Sequence, residues 1–161
     1  MKSIIMLEII EVSSKNSIEY ARELFIEYAD HLGIDLEFQN FDNEVKMLPK
    51  DYAPPNGCIL LAFFKNELAG CVALRLYKDK ICEMKRLYVR QTYRGKGIGK
   101  ILSKRIIEKA KISSFTHMRL DTFPYMKEAI TIYLSLGFKE IKPYRYNPFE
   151  DAKFFELELN L

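Results

Sequence analysis

Seven residues past the middle of the chain, Arg94-Gly95-Lys96-Gly97-Ile98-Gly99-Lys100, carry the clearest chemical signal in the sequence. Glycine at alternate positions lets a backbone approach a ligand with no β-carbon in the way. The run follows the strand-like stretch EMKRLYV and opens a helical pattern at Ile98. A turn at a helix start aims several free N–H groups at one spot, and the helix dipole adds partial positive charge, so an oxyanion such as a pyrophosphate is the matching ligand. Arg94, Lys96 and Lys100 add full charges at the rim. The dinucleotide spacing GxGxxG and the triphosphate pattern GxxxxGK are both absent, so an anionic cofactor of another kind is the better fit. Isolated glycines also make plain structural turns. The placement after a strand, before a helix and among bases is what favours the ligand.

Other reactive residues point to less. Cys58, Cys71 and Cys82 are odd in number, lie in apolar surroundings and have neither CxxC nor Cys/His spacing. They read as buried reduced thiols, and no metal is expected. The net charge of +3 is small, with bases and acids mixed everywhere except around Arg94 to Lys111, so no nucleic-acid partner is expected. The longest apolar stretch, Cys58 to Phe64, is too short to cross a bilayer, and Glu8 and Glu11 interrupt the N-terminal apolar run that a signal peptide needs. A cytoplasmic protein with no membrane partner is the expectation.

The elements that must position the turn follow from hydrophobic periodicity. At 161 residues the chain fits a single domain, 1–161, with one substantial core. Leu7 to Val12 reads as a short strand. Ile18, Ala21, Leu24, Phe25, Tyr28, Ala29 and Leu32 recur at helical spacing, with Gly33 as the stop. Phe38 to Gly57, broken by Pro49, Pro54 and Pro55, reads as loop with one short helix around Glu44 to Leu48. CILLAFFK, LAGCVALRLY and KICEMKRLYV read as three consecutive antiparallel strands, with turns at Asn66-Glu67 and Lys78-Asp79. A four-turn helix from Ile98, the strand MRLDTF, a helix from Met126 to Leu136 ending at Gly137, and strand-like alternation over Phe138 to Tyr146 and Ala152 to Leu161 complete the order. The class is α/β of the α+β type: a mixed, mostly antiparallel sheet of about six to seven strands with about four helices and one parallel crossover.

The segment VRQTYRGKGIGKIL resembles the acyl-CoA signature of the GNAT superfamily of N-acetyltransferases, with Arg94, Gly97 and Gly99 at its matching positions. AITIYLSLGFKEI resembles the superfamily's second signature through Ala129, Tyr133, Gly137 and Phe138. The resemblance extends over most of the chain, from Leu7 to Leu159, and LDT at Leu120 to Thr122 with the NPFEDAKFFELEL tail is similar to an uncharacterised branch. Met126 stands where many members carry asparagine.

This resemblance implies an acetyl-CoA-dependent N-acetyltransferase acting on a primary amine of a small molecule, peptide or protein. The backbone of Leu87, Tyr88 and Val89 would pair with the pantetheine amides and polarise the thioester, and Arg94, Gly95, Lys96, Gly97, Ile98, Gly99 and Lys100 would hold the pyrophosphate. Tyr133 is the candidate partner of the departing thiolate, although full proton transfer from a phenol near 10 to a thiolate near 8.5 is uphill by about 2 kcal/mol. Glu83 is the candidate base, because strict alternation would set it on one strand face with Lys85, Leu87 and Val89; its other reading is a solvated carboxylate or a partner of Lys85. Phe38, Tyr144 and Asn147, together with Tyr28, His31, Phe41 and Tyr146, form an aromatic and polar set for the acceptor. The alternative function is a non-catalytic CoA-binding regulatory module. A homodimer through an exposed terminal strand stays open.

Overall fold

A computed structural model describes residues 6–160 of the chain. The start of the N-terminal run and Leu161, both included in the readings above, lie outside the described residues. Among the described residues, eleven strands and α-helices follow in order: β1 (Leu7–Glu11), α1 (Lys15–Leu32), α2 (Phe41–Lys46), β2 (Cys58–Phe64), β3 (Glu67–Lys78), β4 (Ile81–Val89), α3 (Ile98–Ile112), β5 (His117–Thr122), α4 (Lys127–Ser135), β6 (Lys139–Ile141) and β7 (Lys153–Glu158). The fold class is the expected one, seven strands in one sheet with four α-helices. The sheet order is β1-β2-β3-β4-β5-β7-β6, and only β4 and β5 run parallel, joined by the crossover through α3.

Local chemistry explains the boundaries. Ser14 caps α1: its hydroxyl accepts from the Ser17 N–H at 3.1 Å, while Ser17 Oγ accepts from the Ser14 N–H at 2.9 Å. Gly33 closes the helix in the left-handed conformation, φ 68°. The β2–β3 hairpin pairs Phe64 with Glu67, so its two-residue turn is Lys65-Asn66, both at positive φ, one residue earlier than the pattern predicts. The alternation read over residues 138–146 shortens to the three residues of β6, because Pro143 and the polar run behind it leave the sheet as a loop.

The sheet is covered on both faces, which is why its middle strands read as continuous apolar runs. One face packs α3 and α4 through Leu102, Ile106, Ala110 and Tyr133 onto Leu60, Val72, Leu74, Met84, Met118 and Leu120. The other packs α1, α2 and the loops around α2 through Leu24, Phe25, Leu36, Phe41 and Tyr52 onto Ile59, Leu61, Cys71 and Ala73.

Two irregularities of β4 shape everything that follows. Lys85 pairs with Ala73 and Tyr88 with Cys71, so three steps along β4 answer two along β3; the extra residue is absorbed near Arg86, whose φ is 60°. In addition, β4 pairs with β5 only through Ile81–Glu83 against His117–Arg119, and beyond that register the two strands separate, while β5 stays paired with β7 to Thr122.

Candidate active site

The glycine turn lies at the mouth of this separation. Gly95 and Gly97 have φ values of 81° and 78°, a region that side chains disfavour, and Gly97 is the N-cap of α3. No side chain caps that end, so the N–H groups of Ile98, Gly99 and Lys100, which precede the first helical hydrogen bond, Ile101 N–H to Gly97 O, point out of the helix. Gly99 answers a different demand: a β-carbon there would stand 3.1 Å from Ile132 Cδ1, so its absence lets α3 approach α4.

A cleft of about 680 Å³ runs from this turn along β4. Of the residues expected at the cofactor, Leu87, Tyr88, Val89, Arg94, Gly95, Gly97, Ile98, Gly99 and Lys100 line this cleft, with Ala129 and Ile132 of α4 opposite. Lys96 is the exception. Its ammonium sits 5.0 Å from the centre of the Phe64 ring, outside the cleft lining. Arg94 donates from Nε to the Val89 carbonyl at 2.9 Å, and its Nη2 lies 3.3 Å from His31 Nε2, tying the turn to both β4 and the end of α1. Met126, at the N-terminal boundary of α4, lines the cleft and meets the Thr122 hydroxyl through its sulfur at 3.5 Å.

The bulge at Arg86 corrects the expectation for Glu83. Before the bulge Cys82 and Met84 face α3 and the charged pair Glu83 and Lys85 faces the α1 side; after it Leu87 and Val89 face α3 and Tyr88 faces α1. Strict alternation therefore fails, and Glu83 is on the opposite face from Leu87 and Val89. Its surroundings also disqualify it as a base. It is 1% exposed, accepts from Arg75 Nε at 3.0 Å, from Arg145 Nη1 at 2.8 and 3.0 Å, and from the Tyr144 hydroxyl at 2.6 Å. Burial raises the affinity of this carboxyl for a proton, but the charges of Lys85, Arg75 and Arg145 and the Tyr144 hydrogen bond outweigh it and bring the pKa down to about 2. A carboxylate so held is ionised and a weak base at neutral pH.

Instead, Glu83 organises a buried charged wall. Arg86 donates two hydrogen bonds to Glu44, at 2.9 and 3.1 Å, while Tyr28 and Phe41 stack on its guanidinium at 5.6 and 5.1 Å. Arg75 lies between Glu83 and Glu44, and the Tyr52 hydroxyl donates to Glu44. A second pocket of about 670 Å³ opens on this wall, lined by Phe38, Arg75, Tyr77, Glu83, Arg145 and Tyr146. Phe38, expected at the acceptor, is one of these lining residues. Tyr144 stands behind it, its hydroxyl committed to Glu83 and its carbonyl accepting from Tyr77. Asn147 is displaced toward β5, donating to Asp121 at 3.4 Å and accepting from the Phe149 N–H.

Between the cleft and the pocket lies a cavity of about 20 Å³, whose lining includes Tyr28, Lys85, Leu87, Asp121 and Tyr133. The Tyr133 phenol is deeply buried, and burial, with Tyr28 and Asp121 nearby, raises its pKa well above the ordinary value. β4 thus contributes to three spaces in succession: Val89 to Leu87 in the cleft, Leu87 to Met84 in the small cavity, Glu83 in the second pocket. Arg75, Lys85, Arg86 and Arg145 escape motif matching, and Asp121 enters it only within LDT, with no role attached. The available signal is three charges, Glu83, Lys85 and Arg86, inside a strand flanked by apolar runs, since buried charges demand partners.

The three cysteines are free and buried, with the Cys58 and Cys82 thiols pushed up to about 12 by burial. Among the described residues no cluster of three His, Cys, Asp or Glu side chains could hold a metal, and no helix is long and apolar enough to cross a membrane.

Comparison with known proteins places the chain in a family. The chain is 39% identical over 136 residues to an uncharacterized N-acetyltransferase of Schizosaccharomyces pombe, covering 83% of each protein. It is 34% identical over 88 residues to the N-acetylaspartate synthetase of Xenopus tropicalis, a match spanning 54% of this chain and 32% of that protein. In fold it is similar to the PaiA N-acetyltransferase from Thermoplasma acidophilum in complex with coenzyme A, with TM-score 0.74, 21% identity, and 96% and 99% of the two chains covered. The acetyltransferase (GNAT) family model matches residues 18–138, from the first turn of α1 to the residue before β6. A glycine turn at a helix start, a cleft where parallel strands part and this match identify the chain as a member of the GNAT family of acetyltransferases, an acyltransferase that uses acetyl-CoA.

Proposed function

We propose that the chain transfers the acetyl group of acetyl-CoA to a primary amine of a small molecule, peptide or protein by direct attack in a ternary complex. The observation that carries this reading is the parting of β4 from β5 beyond Glu83 and Arg119, beside the uncapped start of α3. It leaves an edge of β4 at Leu87–Val89 suited to take the pantetheine amides as an added strand, with the α3 amides suited to the pyrophosphate. A backbone N–H of Tyr88 or Val89 then polarises the thioester carbonyl. Tyr133 donates a hydrogen bond to the departing sulfur; its raised pKa disfavours giving up the proton outright. The amine enters from the pocket at Phe38, with Tyr144 and Asn147 shaping its wall through Glu83 and Asp121.

Two arginines at that pocket and the likeness to an N-acetylaspartate synthetase favour amines that carry a carboxylate as first candidates. The test is thiol release from acetyl-CoA over L-aspartate and other amino acids, ethanolamine, spermidine and short peptides, with the acetylated product identified by mass. Release with at least one amine, and double-reciprocal plots that intersect, are expected. Parallel plots would overturn the ternary complex. Thermal stabilisation by CoA with no release across the panel would instead identify a non-catalytic CoA-binding module.

A further inference from the structure

Glu83 is excluded as a base, yet the attacking nitrogen must lose a proton and the departing sulfur must gain one. Lys85 lies where β4 and β5 part, in the lining of the small cavity between the cleft and the second pocket. It stands two residues beyond the last β4–β5 pair, Glu83 with Arg119, and Asp121 stands two residues beyond it on β5, so their ion pair spans the opening between the strands. Lys85 is 4% exposed, but its polar contacts are long: 3.6 Å to Asp121 Oδ1 and 3.4 Å to Gln39 Oε1. A buried amine with three donor positions is therefore weakly held, and it lines the same cavity as Tyr133. At about 20 Å³ this cavity admits one water and is too small for a substrate group, which favours proton movement over binding.

Resting on the N-acetyltransferase reading, we propose that Lys85 is a relay residue that takes the proton released by the attacking nitrogen and passes it, through one water in the cavity shared with Tyr133, to the leaving sulfur. The balance closes without another reagent. The free amine forms its bond to the thioester carbon, the nitrogen gives a proton to neutral Lys85, the carbon–sulfur bond breaks, and the thiolate receives that proton. The products are the acetamide and CoA thiol, and Lys85 returns to its neutral form.

The proton affinities suit this order. Burial lowers the Lys85 pKa to about 8, Asp121 opposing and Arg86 assisting the shift, which leaves it close to the ordinary thiol value of about 8.5. Tyr133, raised above 10, is far less matched to the sulfur. The charged and titratable groups around the Lys85 amine are Asp121 from β5, Glu83 and Arg86 from its own strand, Arg75 from β3, Glu44 from α2, Tyr28 from α1 and Tyr133 from α4.

The experiment compares wild type, Lys85→Met and Lys85→Arg with L-aspartate, spermidine and glycylglycine as probe amines between pH 6 and 10, alongside CoA affinity, melting temperature and 1H–13C spectra of lysine-labelled protein bound to CoA. In wild type, kcat is expected to fall below about pH 8 as Lys85 becomes protonated, and the resonance missing from Lys85→Arg to titrate near 8. Both variants should lose about 10²-fold in kcat with CoA affinity retained, because arginine keeps the charge but releases no proton. Rescue by Lys85→Arg, or titration of Lys85 alongside surface lysines, overturns the relay while leaving the acetyltransferase reading intact. Absence of thiol release from wild type with every probe defeats that reading, and the relay with it.

Discussion

Arg145, carried by the loop between β6 and β7, places Nη1 at 2.8 and 3.0 Å from the two carboxylate oxygens of Glu83 on β4. The pair fastens a loop to a central strand and gives the proposed acceptor pocket a fixed wall. Removing one member of a buried pair leaves the other unpaired, which typically costs about 3–5 kcal/mol. Glu83→Gln should accordingly destabilise the protein by about that amount in urea unfolding and raise the acceptor KM, with CoA affinity preserved. A double-mutant cycle with Arg145→Gln should give a coupling energy of about 1–3 kcal/mol. Independent, additive effects would show that the loop is not held by this pair.

The same carboxylate sets an acid limit. Its folded pKa of about 2 lies below the ordinary value of about 4.3 for an unfolded glutamate. A depressed pKa stabilises the fold fully above the unfolded value and loses that contribution as pH falls through the folded one. Glu83 should therefore contribute on the order of 3 kcal/mol at neutral pH, decaying between about pH 4.5 and pH 2. Unfolding free energies measured at intervals across that window should converge for wild type and Glu83→Gln at the acid end. A gap that stays constant down to pH 2 would contradict the ion-pair account.

How much of this was legible in the sequence differs by physical cause. Periodicity reports a face buried over many residues, so α1, α3 and the three central strands appear in the pattern. The turn at Arg94 to Lys100 was legible for a related reason, since Gly95 and Gly97 meet a local demand for positive φ. The face of Glu83 is not legible, because period two holds only in an unbroken ladder. Nothing in ICEMKRLYV marks Arg86 as a bulged position, and one extra residue there moves Leu87 and Val89 to the other face. The wall of Arg75, Glu83 and Arg145 was invisible for another reason: its members come from two strands and a distant loop, and only the folded sheet order brings them together. The charge of Lys96 suggests a place at the rim of the turn, while the fold directs its side chain to Phe64.

Tyr133 separates hydrogen-bond donation from acid catalysis. If its hydroxyl only donates to the departing sulfur, Tyr133→Phe removes about one hydrogen bond, on the order of 1 kcal/mol, and lowers kcat about five- to tenfold. Phenylalanine keeps the ring that packs 5.7 Å from Phe138 and 6.4 Å from Phe155, so folding and CoA affinity should hold. Steady-state kinetics and CoA titration check both. A loss of 10³-fold or more would make Tyr133 the proton donor itself, and unchanged turnover would remove it from the chemistry.

Gly97 tests whether the turn grips the pyrophosphate. A β-carbon at this position meets nothing within 4 Å, so Gly97→Ala creates no collision and acts only through a backbone held at φ 78°. Holding alanine in that region costs about 1–2 kcal/mol, and relaxation toward negative φ would turn the first α3 amides away from the ligand. CoA affinity should fall about tenfold or more, whereas pantetheine, which lacks the pyrophosphate, should bind wild type and variant alike. Calorimetric titration of both ligands decides the matter: equal losses for CoA and pantetheine would mean that the variant disturbs the cleft at Leu87–Val89, and that the glycine turn is not where the phosphates are held.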